Sequence, residues 1–323
     1  MSVLVYTENW DGKFKKLSFE LVSYAGKLAE MLGTTATAVS IGSVDNTELQ
    51  KLGNFGAQKI LSAVGPNLDK LDNQVFSSII VQAALKEKTD VVILSNNNAG
   101  KALAPRISVK LKSGLVSAVI KLPLSLDPFT VAKKVFSGKA FANVVIKTDT
   151  RVLTLSQNSF ELVETDNKAT IENFSPEIDN SLFNTSVKDV EKITGKILLT
   201  DAEVVVSGGR GMKSPDNWGP IEELADVLGA ATACSRPVSD EGWRPHGEHT
   251  GQTGKIIAPN LYLAFGISGA IQHLAGISST KVIVAVNTDK DAPIFEAADY
   301  GIVGDAHKVL PELIKAVKEV KSS

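Results

Sequence analysis

Residues 261–276 read LYLAFGISGAIQHLAG, and this stretch decides the fold of the second half of the chain. The apolar run LYLAF has the length of a buried strand, and Gly266 ends it. The following residues, SGAIQHLAG, have the spacing of a short helix. A strand that passes through a glycine-containing loop into a helix is typical of a parallel sheet covered by helices.

The same alternation extends outward from this stretch in both directions. Strands are predicted at AEVVVSGG, KVIVAVN and YGIVGD, and helices at IEELADVLGA and VLPELIKAVKEV. Strands and helices that alternate in this way predict a doubly wound α/β domain.

The first half of the chain repeats the pattern. Strands are predicted at VLVY, TATAVSIG and DVVILS, and helices at 17–32, 75–87 and 103–111, the last one after a loop at 96–100. From position 130 the pattern changes, because VAKKVFSGKAFANVVIK and RVLTLS leave no room for crossover helices. These two segments are predicted to be antiparallel strands at a mixed sheet edge.

The length and a change of composition predict two domains. The chain has 323 residues, and a domain commonly has roughly 150. Residues 166–195 lose periodicity and are rich in Asn, Asp, Ser and Thr, which is typical of a boundary. We place it at 190, so that an N-terminal α/β domain spans 1–190 and a C-terminal, Rossmann-like domain spans 191–323.

Composition and charge exclude several classes of protein. The 34 basic and 36 acidic side chains give a net charge of −2, which does not favour binding to nucleic acid or to an anionic membrane. The single cysteine, Cys234, excludes an internal disulfide and fits a reducing compartment. No apolar run approaches the ~20 residues of a membrane span, and the first residues do not resemble a signal or transit peptide. We expect a cytoplasmic protein without membrane insertion and without a metal site.

Loops that follow the predicted strands of the second half carry the candidate binding groups. VVVSGGRGM surrounds Arg210 with glycines, and GISGA leads into a helix whose free N–H groups can hold a phosphate. HTGQTGK adds amides and hydroxyls, and Ser235 and Arg236 follow another predicted strand. Taken singly, a glycine pair after a strand is more often an ordinary turn, and GISGA lacks the full G-x-G-x-x-G spacing.

Together these segments carry a resemblance to a known family. SGGRGM, SRPVSDEGW, GQTGK, YLAFGISGAIQHLAGI, VAVNTDKDAPIFEAADYGIVGD and VLPELI resemble, in order and spacing, the C-terminal domain of the alpha subunit of electron transfer flavoprotein. The first half resembles the N-terminal domain of that subunit in its nucleotide-hydrolase-like layout, with weaker motifs such as AGKALAPRIS.

The resemblance implies an electron carrier and not an enzyme. Family members hold FAD in a heterodimer with a beta subunit, which the N-terminal domain contacts. They pass electrons from flavin dehydrogenases, such as the acyl-CoA dehydrogenases of fatty acid oxidation, to a quinone reductase or another acceptor. The beta subunit carries AMP in most members and a second FAD in electron-bifurcating relatives, a possibility that this chain alone leaves open.

Three residues are expected, by this resemblance, to tune the flavin. Arg236 would lie across the isoalloxazine face, where a planar guanidinium can stack and carry charge. Thr253 would donate to N5, and His273 would lie at the pyrimidine end near N1 and O2, favouring reduction. The alternatives are an exposed surface arginine, a threonine in a polar loop and a partly buried helix histidine without a ligand.

The resemblance assigns the remaining contacts by position. Ser235 would bond the flavin or its ribityl chain, while Arg210 would face the pyrophosphate or adenosine side. Asn287 and Asp305 would reach the adenosine half, Asp305 in the way an acidic residue holds a ribose hydroxyl. The flavin loop would be shaped by Thr250, Gly251 and Gln252, and the phosphate-binding helix start would be formed by Ser268, Gly269, Ala270, Ile271 and Gln272.

Three neighbours of the site remain ambiguous in sequence. Glu248 and His249 carry more charge before the loop than the family leads us to expect, and they either tune the flavin or, as we expect, lie in solvent. Cys234 is interpreted as a small residue packed at a strand end and not as a redox thiol.

Two other classes of function compete with an electron carrier. An NAD-dependent enzyme is one, since deoxyhypusine synthase and sirtuins share a related dinucleotide-binding domain, although their catalytic lysine or histidine motifs are not visible here. A nucleotide-binding regulatory module, which the first domain alone would permit, is the other. A yellow protein with flavin bands would support the carrier, and a colourless one that binds NAD or AMP would support the alternatives.

Overall fold

A computed structural model describes residues 2–136, 138–183, 185–190 and 197–322. The chain divides into two compact units. Unit 1 comprises Met1–Val135 and Ala140–Val190, and unit 2 comprises Phe136–Lys139 and Glu191–Ser323. Each unit contains its own parallel sheet with helices on both faces, so the predicted α/β class with two doubly wound units is confirmed.

Unit 1 contains twelve strands and four α-helices among its described residues. The strands are β1 (Val3–Thr7), β2 (Asn9–Trp10), β3 (Lys13–Phe14), β4 (Ala36–Ile41), β5 (Lys59–Ala63), β6 (Val91–Ser95), β7 (Gly114–Val119), β8 (Ser125–Leu126), β9 (Phe129–Val135), β10 (Ala140–Val145), β11 (Arg151–Leu155) and β12 (Thr170–Asn173). The helices are α1 (Lys16–Leu32), α2 (Asn46–Gly53), α3 (Asn73–Lys86) and α4 (Asn98–Leu111), with a 3-10 turn at Asn180–Leu182.

The main sheet of unit 1 has the order β10-β9-β7-β11-β6-β1-β4-β5-β12. It is parallel from β7 to β12. The hairpin β9–β10 forms the predicted antiparallel edge, and the short β8 pairs with β9. Chain order reverses between β1 and β6, which is therefore the switch point of this sheet.

The prediction of an antiparallel strand at RVLTLS is wrong. This segment is β11, which is parallel to both β6 and β7. The connection from β7 to β11 is made by the β9–β10 hairpin in place of a helix, and the chain then returns into the middle of the sheet. The predicted loop at 96–100 is also shorter than expected: α4 begins at Asn98 because the Asn97 Oδ1 caps it, accepting from the Gly100 amide at 3.0 Å.

Two apolar layers cover the sheet of unit 1. Successive residues of β1 point to opposite faces, as a strand requires. Val3 and Val5 pack with α1 and α2, whereas Leu4 and Tyr6 pack with α3 and α4. Their complete burial accounts for the unbroken apolar run from which this strand was predicted.

Unit 2 contains five strands and five α-helices among its described residues. The strands are β13 (Val204–Gly208), β14 (Ala231–Cys234), β15 (Leu261–Phe265), β16 (Val282–Asn287) and β17 (Tyr300–Val303). The helices are α5 (Gly219–Leu228), α6 (Arg236–Asp240), α7 (Ile271–Ile277), α8 (Ile294–Ala297) and α9 (Ala306–Ser322), with 3-10 turns at Arg210–Met212, Pro215–Trp218 and His246–Glu248.

The sheet of unit 2 is entirely parallel and has the order β14-β13-β15-β16-β17. Helices α5 and α9 cover one face, and α7 and α8 cover the other. The strand order is the 2-1-3-4-5 order of flavodoxin-like sheets, which obey the same rule as Rossmann sheets: ligands bind at the carboxyl ends of the strands, where chain order reverses. In unit 2 that point lies between β13 and β15.

Candidate functional site

Two glycine-containing loops meet at the carboxyl ends of β13 and β15. The Gly209 amide donates to the Phe265 carbonyl at 2.8 Å, and the Gly211 amide donates to the Gly266 carbonyl at 3.0 Å. A Cβ on Gly209 would lie 2.2 Å from the Gly266 carbonyl oxygen. The packing of one loop on the other therefore requires these glycines. Arg210, between Gly209 and Gly211, is exposed.

The loop after β15 leads into α7 through a second close contact. Gly269 has a φ of +85°, and a Cβ there would lie 2.3 Å from the Ile294 amide nitrogen. That amide donates to the Ser268 carbonyl at 3.0 Å, which ties the loop to the start of α8. Ala270 is the N-cap of α7, and within the described chain no side chain caps this helix. Ser268, Ala270, Ile271 and Gln272 are exposed around its first turn.

The segment after β14 places Ser235 and Arg236 at the same edge of the sheet. Ser235 is buried, and its amide donates to the Gly208 carbonyl at 3.1 Å. Arg236 begins α6 and is 62% exposed, with its Nε 3.2 Å from the Asp240 Oδ2. An exposed pair of this kind contributes little to stability, so the guanidinium is able to exchange this partner for another.

The loop of residues 249–255, which we call the flavin loop after its predicted role, bridges β14 and α7. The Thr250 amide donates to the Cys234 carbonyl at 3.0 Å, and the Gln252 amide donates to the Gln272 carbonyl at 2.7 Å. Thr250 is fully buried and Gly251 is also buried, whereas Gln252 and Thr253 are exposed. The loop thus presents Gln252 and Thr253 beside the exposed first turn of α7.

His273 is buried beneath these exposed residues. It is 6% exposed, and its Nε2 is 2.9 Å from the Tyr262 Oη. Burial lowers the pKa of His273 to about 4, although the Thr250 backbone acts in the opposite direction. The imidazole is therefore neutral at pH 7, with one ring nitrogen that donates and one that accepts.

Asn287 ends β16 and Asp305 follows β17 at the same edge, and both organise loops. The Asn287 Nδ2 donates to the Ile267 carbonyl at 2.9 Å, and its Oδ1 accepts from the Asp289 amide at 2.9 Å. The Asp305 Oδ1 accepts from the His307 amide at 3.0 Å. That hydrogen bond is the main reason why the pKa of Asp305 is lowered.

A buried ion pair beneath the site was missed in the sequence. The Arg244 guanidinium binds both carboxylate oxygens of Glu248, at 2.8 and 2.9 Å, and the Glu222 Oε1 at 2.7 Å. It also lies 5.6 Å from the Trp218 ring centroid. The expectation that Glu248 lies in solvent is wrong, because Arg244 neutralises its charge inside the protein. The i, i+4 spacing of Arg244 and Glu248 was the signal available in the sequence.

His249 is also buried, contrary to expectation. It is 3% exposed, and burial is the main reason why its pKa is lowered. Its ring packs against Gly254, where a Cβ would lie 2.8 Å from the His249 Nδ1. That Nδ1, the Thr250 Oγ1 and the His273 Nδ1 are all buried without a hydrogen-bond partner in the part of the chain that the structure describes.

Cys234 ends β14 directly beneath this loop. It is fully buried, and burial raises the pKa of its thiol to about 12. The thiol is therefore protonated at neutral pH, which supports its interpretation as a packed small residue.

All fifteen predicted site residues follow strands or form the loop at one edge of the unit 2 sheet. Six of them, Arg210, Arg236, Gln252, Thr253, Ser268 and Gln272, have exposed polar side chains, and Thr250 and His273 are buried beneath them. In the described residues no group of three or more His, Cys, Asp or Glu side chains is placed to hold a metal ion. None of the described helices has the length and apolar character needed to cross a membrane.

Comparison with known proteins identifies the family. Residues 3–179 match the electron transfer flavoprotein domain, and residues 198–278 match the electron transfer flavoprotein FAD-binding domain. The chain is 37% identical to the electron transfer flavoprotein subunit alpha of Bacillus subtilis over 320 residues, which is 98% of both chains. It is 36% identical to the subunit alpha of Megasphaera elsdenii over 327 residues, covering 99% of this chain and 97% of the relative.

A third relative carries a different name. The acryloyl-CoA reductase electron transfer subunit beta of Anaerotignum propionicum is 32% identical over 359 residues, covering 99% of this chain and 96% of the relative. The family models together span most of the chain, and the relatives match it along nearly its whole length. The chain therefore belongs to the electron transfer flavoprotein alpha subunit family.

Proposed function

We propose that this chain is the FAD-holding subunit of a two-subunit electron carrier. One observation carries the proposal: the switch point of the unit 2 sheet gathers exposed donors above a layer of buried polar atoms that have no hydrogen-bond partner among the described residues. The exposed donors are Arg210, Arg236, Gln252, Thr253, Ser268 and Gln272. The buried atoms belong to His249, Thr250 and His273.

These residues fit FAD. Buried polar atoms without partners are uncommon and call for an explanation such as a bound molecule. The open carboxyl edge, the uncapped start of α7 and the exposed Arg210 together supply donors for a pyrophosphate. When bound, FAD supplies the one-electron chemistry, and the protein supplies orientation and electrostatics.

The flavin end of the site is formed by α6, the flavin loop and α7. We assign Arg236 to the isoalloxazine face, Thr253 to N5 and His273 to the pyrimidine end, with Ser235 near the ribityl chain. Arg236 is able to leave Asp240, its exposed partner in α6, and turn to the ring. Thr250, Gly251 and Gln252 fix the loop, because two of them make backbone hydrogen bonds to β14 and α7. His273 acts as a neutral hydrogen-bonding group, in line with its lowered pKa of about 4.

The adenosine end is formed by the loops after β16 and β17. We assign Asn287 and Asp305 to this end. The lowered pKa of Asp305 keeps its carboxylate ionised at neutral pH, so that it can accept from a ribose hydroxyl. Gly269, Ala270 and Ile271 surround the pyrophosphate together with Ser268 and Gln272.

We further propose the partners that family membership suggests. The N-terminal domain, 1–190, contacts a beta subunit that carries AMP or a second FAD, and the domain 191–323 holds FAD. The complex works in the cytoplasm, accepts electrons from flavin dehydrogenases and passes them to a quinone reductase or another acceptor. The relative named as an electron transfer subunit of acryloyl-CoA reductase supports an enzyme that acts on acyl-CoA thioesters as an electron partner.

The switch point of unit 1 argues against a nucleotide-binding module in that half of the chain. The Glu8 carboxylate accepts there from the Ser95 Oγ at 2.5 Å and from the Asn97 Nδ2 at 2.9 Å. A carboxylate held at the point where doubly wound sheets bind ligands repels a phosphate. The electron carrier therefore has better support than the regulatory alternative.

Co-expression with the beta subunit of the source cell tests the proposal. The purified complex is expected to be yellow, with flavin bands and FAD bound, and Arg210→Ala is expected to reduce its FAD content. Lys315→Ala, which changes an exposed cation on α9, serves as the control. A colourless complex that binds NAD or AMP alone would contradict the proposal.

A further inference from the structure

Tyr262 and His273 form a buried pair that joins the sheet to α7. Tyr262 lies on β15 with no exposed surface, and its Oη is 2.9 Å from the His273 Nε2. The two ring centroids are 6.0 Å apart, with the rings inclined at 52°. Each side chain is held by its own element, so the contact fixes the orientation of the imidazole.

Both members of the pair are uncharged at neutral pH. Burial raises the pKa of Tyr262 well above its ordinary value and lowers that of His273 to about 4. A neutral imidazole has one nitrogen that donates and one that accepts. The pair can therefore exist in two arrangements, depending on which imidazole nitrogen carries the proton.

The surroundings favour donation from the phenol to Nε2. Within the described residues the buried Tyr262 hydroxyl has the His273 Nε2 as its hydrogen-bond partner, and a buried hydroxyl proton without an acceptor is costly. When the phenol donates, Nε2 accepts, and the proton of the neutral imidazole lies on Nδ1.

The helix packing brings His273 beside the flavin loop. His273 and Gly276 are three residues apart and share a face of α7. A Cβ on Gly276 would lie 2.5 Å from the Gly251 nitrogen, so the helix and the loop are in direct backbone contact on that face. The buried Nδ1 of His273 makes no hydrogen bond to any residue that the structure describes.

We propose that Tyr262 is a positioning residue for the cofactor site, which keeps the His273 proton on Nδ1 and leaves that N–H for the flavin end of the site. Its effect on the flavin rests on the proposed function, whereas the tautomer itself does not. Tyr262 sets the proton arrangement from within the sheet and makes no contact with the cofactor.

Nitrogen NMR of the ¹⁵N-histidine-labelled complex tests the tautomer directly. The His273 signals are identified by their loss in His273→Gln. In the wild type, Nε2 is expected to resonate as an unprotonated nitrogen and Nδ1 as a protonated one. In Tyr262→Phe the two signals are expected to move towards each other, because the phenol no longer selects one tautomer.

A matched variant tests whether the change in the His273 signals is specific to the Tyr262 hydroxyl or follows the removal of any buried tyrosine hydroxyl. Tyr24 in unit 1 is also fully buried, and its Oη donates to the Lys121 carbonyl at 3.2 Å. Tyr24→Phe is expected to leave the His273 signals unchanged. A protonated Nε2 in the wild type would overturn the proposal even if Tyr262→Phe failed to fold, and so would unchanged signals in a folded Tyr262→Phe.

The flavin potentials provide a second measurement on the same samples. Tyr262→Phe is expected to shift them in the same direction as His273→Gln and by a smaller amount. Potentials that stay at the wild-type value in Tyr262→Phe, with FAD bound, would overturn the role of Tyr262 and leave the proposed function standing. A wild-type complex without FAD would overturn the proposed function, while the nitrogen signals would still decide the tautomer.

Discussion

Gly276 and Gly251 touch backbone to backbone: a Cβ on Gly276 would lie 2.5 Å from both the nitrogen and the Cα of Gly251. This contact holds the flavin loop against α7, and the hydrogen bond from the Gln252 amide to the Gln272 carbonyl, 2.7 Å long, lies beside it. The position of the loop therefore depends on the absence of a side chain in the last turn of α7.

Gly276→Ala is expected to destabilise the protein and weaken FAD binding. The added methyl group meets backbone and not a flexible side chain, so the loop has to move, at a cost of about 1–3 kcal/mol. Thermal unfolding and FAD content measure the two effects. Gly219→Ala is the matched control, since a Cβ at this helical glycine has no atom within 4 Å and is expected to be neutral or stabilising. Equal stability of the two variants would contradict the proposed constraint.

A second prediction concerns the buried pair of Arg244 and Glu248. Arg244→Ala leaves a buried carboxylate without its cation, which is expected to cost about 3–5 kcal/mol in unfolding free energy. Lys318→Ala breaks an exposed pair with Glu223, and its cost is expected to be about 0–1 kcal/mol. Urea denaturation compares the two variants. If both lost the same small amount, Arg244 would not be the residue that keeps Glu248 inside the protein.

The sequence was sufficient to predict most helices and strands, but it was insufficient to predict the pairing of strands and the environment of single side chains. Apolar runs such as LYLAF predict strands because a doubly wound sheet buries both faces. The apolar run in β11 did not reveal whether this strand is parallel or antiparallel to its neighbours. Its direction depends on where the chain re-enters the sheet, which local sequence does not show. Glu248 was assigned to solvent because its burial depends on the ion pair with Arg244. Arg244 in turn binds Glu222 of α5, a contact that the local sequence does not reveal.

The position of the candidate site residues in the fold was predicted more reliably than their environment. The fifteen residues all lie at one sheet edge, because the carboxyl ends of parallel strands meet there. Local spacing could not reveal that His273 turns inward to Tyr262, since that contact depends on the register between α7 and β15. Whether these residues contact FAD stays a prediction.

The buried His273 is expected to make stability depend on pH. Its pKa is lowered from 6.5 to about 4 in the folded state, so the unfolded chain binds more protons between these values. His273 therefore does not lower the unfolding free energy above pH 6.5. As the pH falls from 6.5 to about 4, the unfolding free energy decreases by about 3 kcal/mol in total because of this residue.

The difference in unfolding free energy between the wild type and His273→Gln isolates the contribution of the His273 imidazole. Unfolding free energies from pH 4 to pH 7 are expected to fall more steeply with decreasing pH for the wild type than for the variant. His246→Gln, at an exposed position beside the same loop, is the control and is expected to keep the wild-type slope. A wild-type slope in His273→Gln would show that the imidazole titrates normally.

The last prediction concerns Arg236, which is exposed and pairs with Asp240 through the 3.2 Å contact in α6. If the guanidinium lies over the flavin, it stabilises the negative charge that reduction adds. Two unit charges ~4 Å apart interact by roughly 4 kcal/mol at an effective dielectric of 20, and exposure reduces this to about 1–2 kcal/mol. Arg236→Ala is therefore expected to lower a one-electron potential by roughly 40–90 mV.

Arg236→Lys separates the charge from the planar surface. Lysine keeps the charge and loses the stacking geometry, so a potential between those of the wild type and the alanine variant is expected. Spectroelectrochemistry of the three complexes, with FAD content measured in parallel, decides the matter. If the alanine variant binds FAD and keeps both wild-type potentials, Arg236 does not lie over the flavin, and the assignment of the flavin end to α6 is wrong.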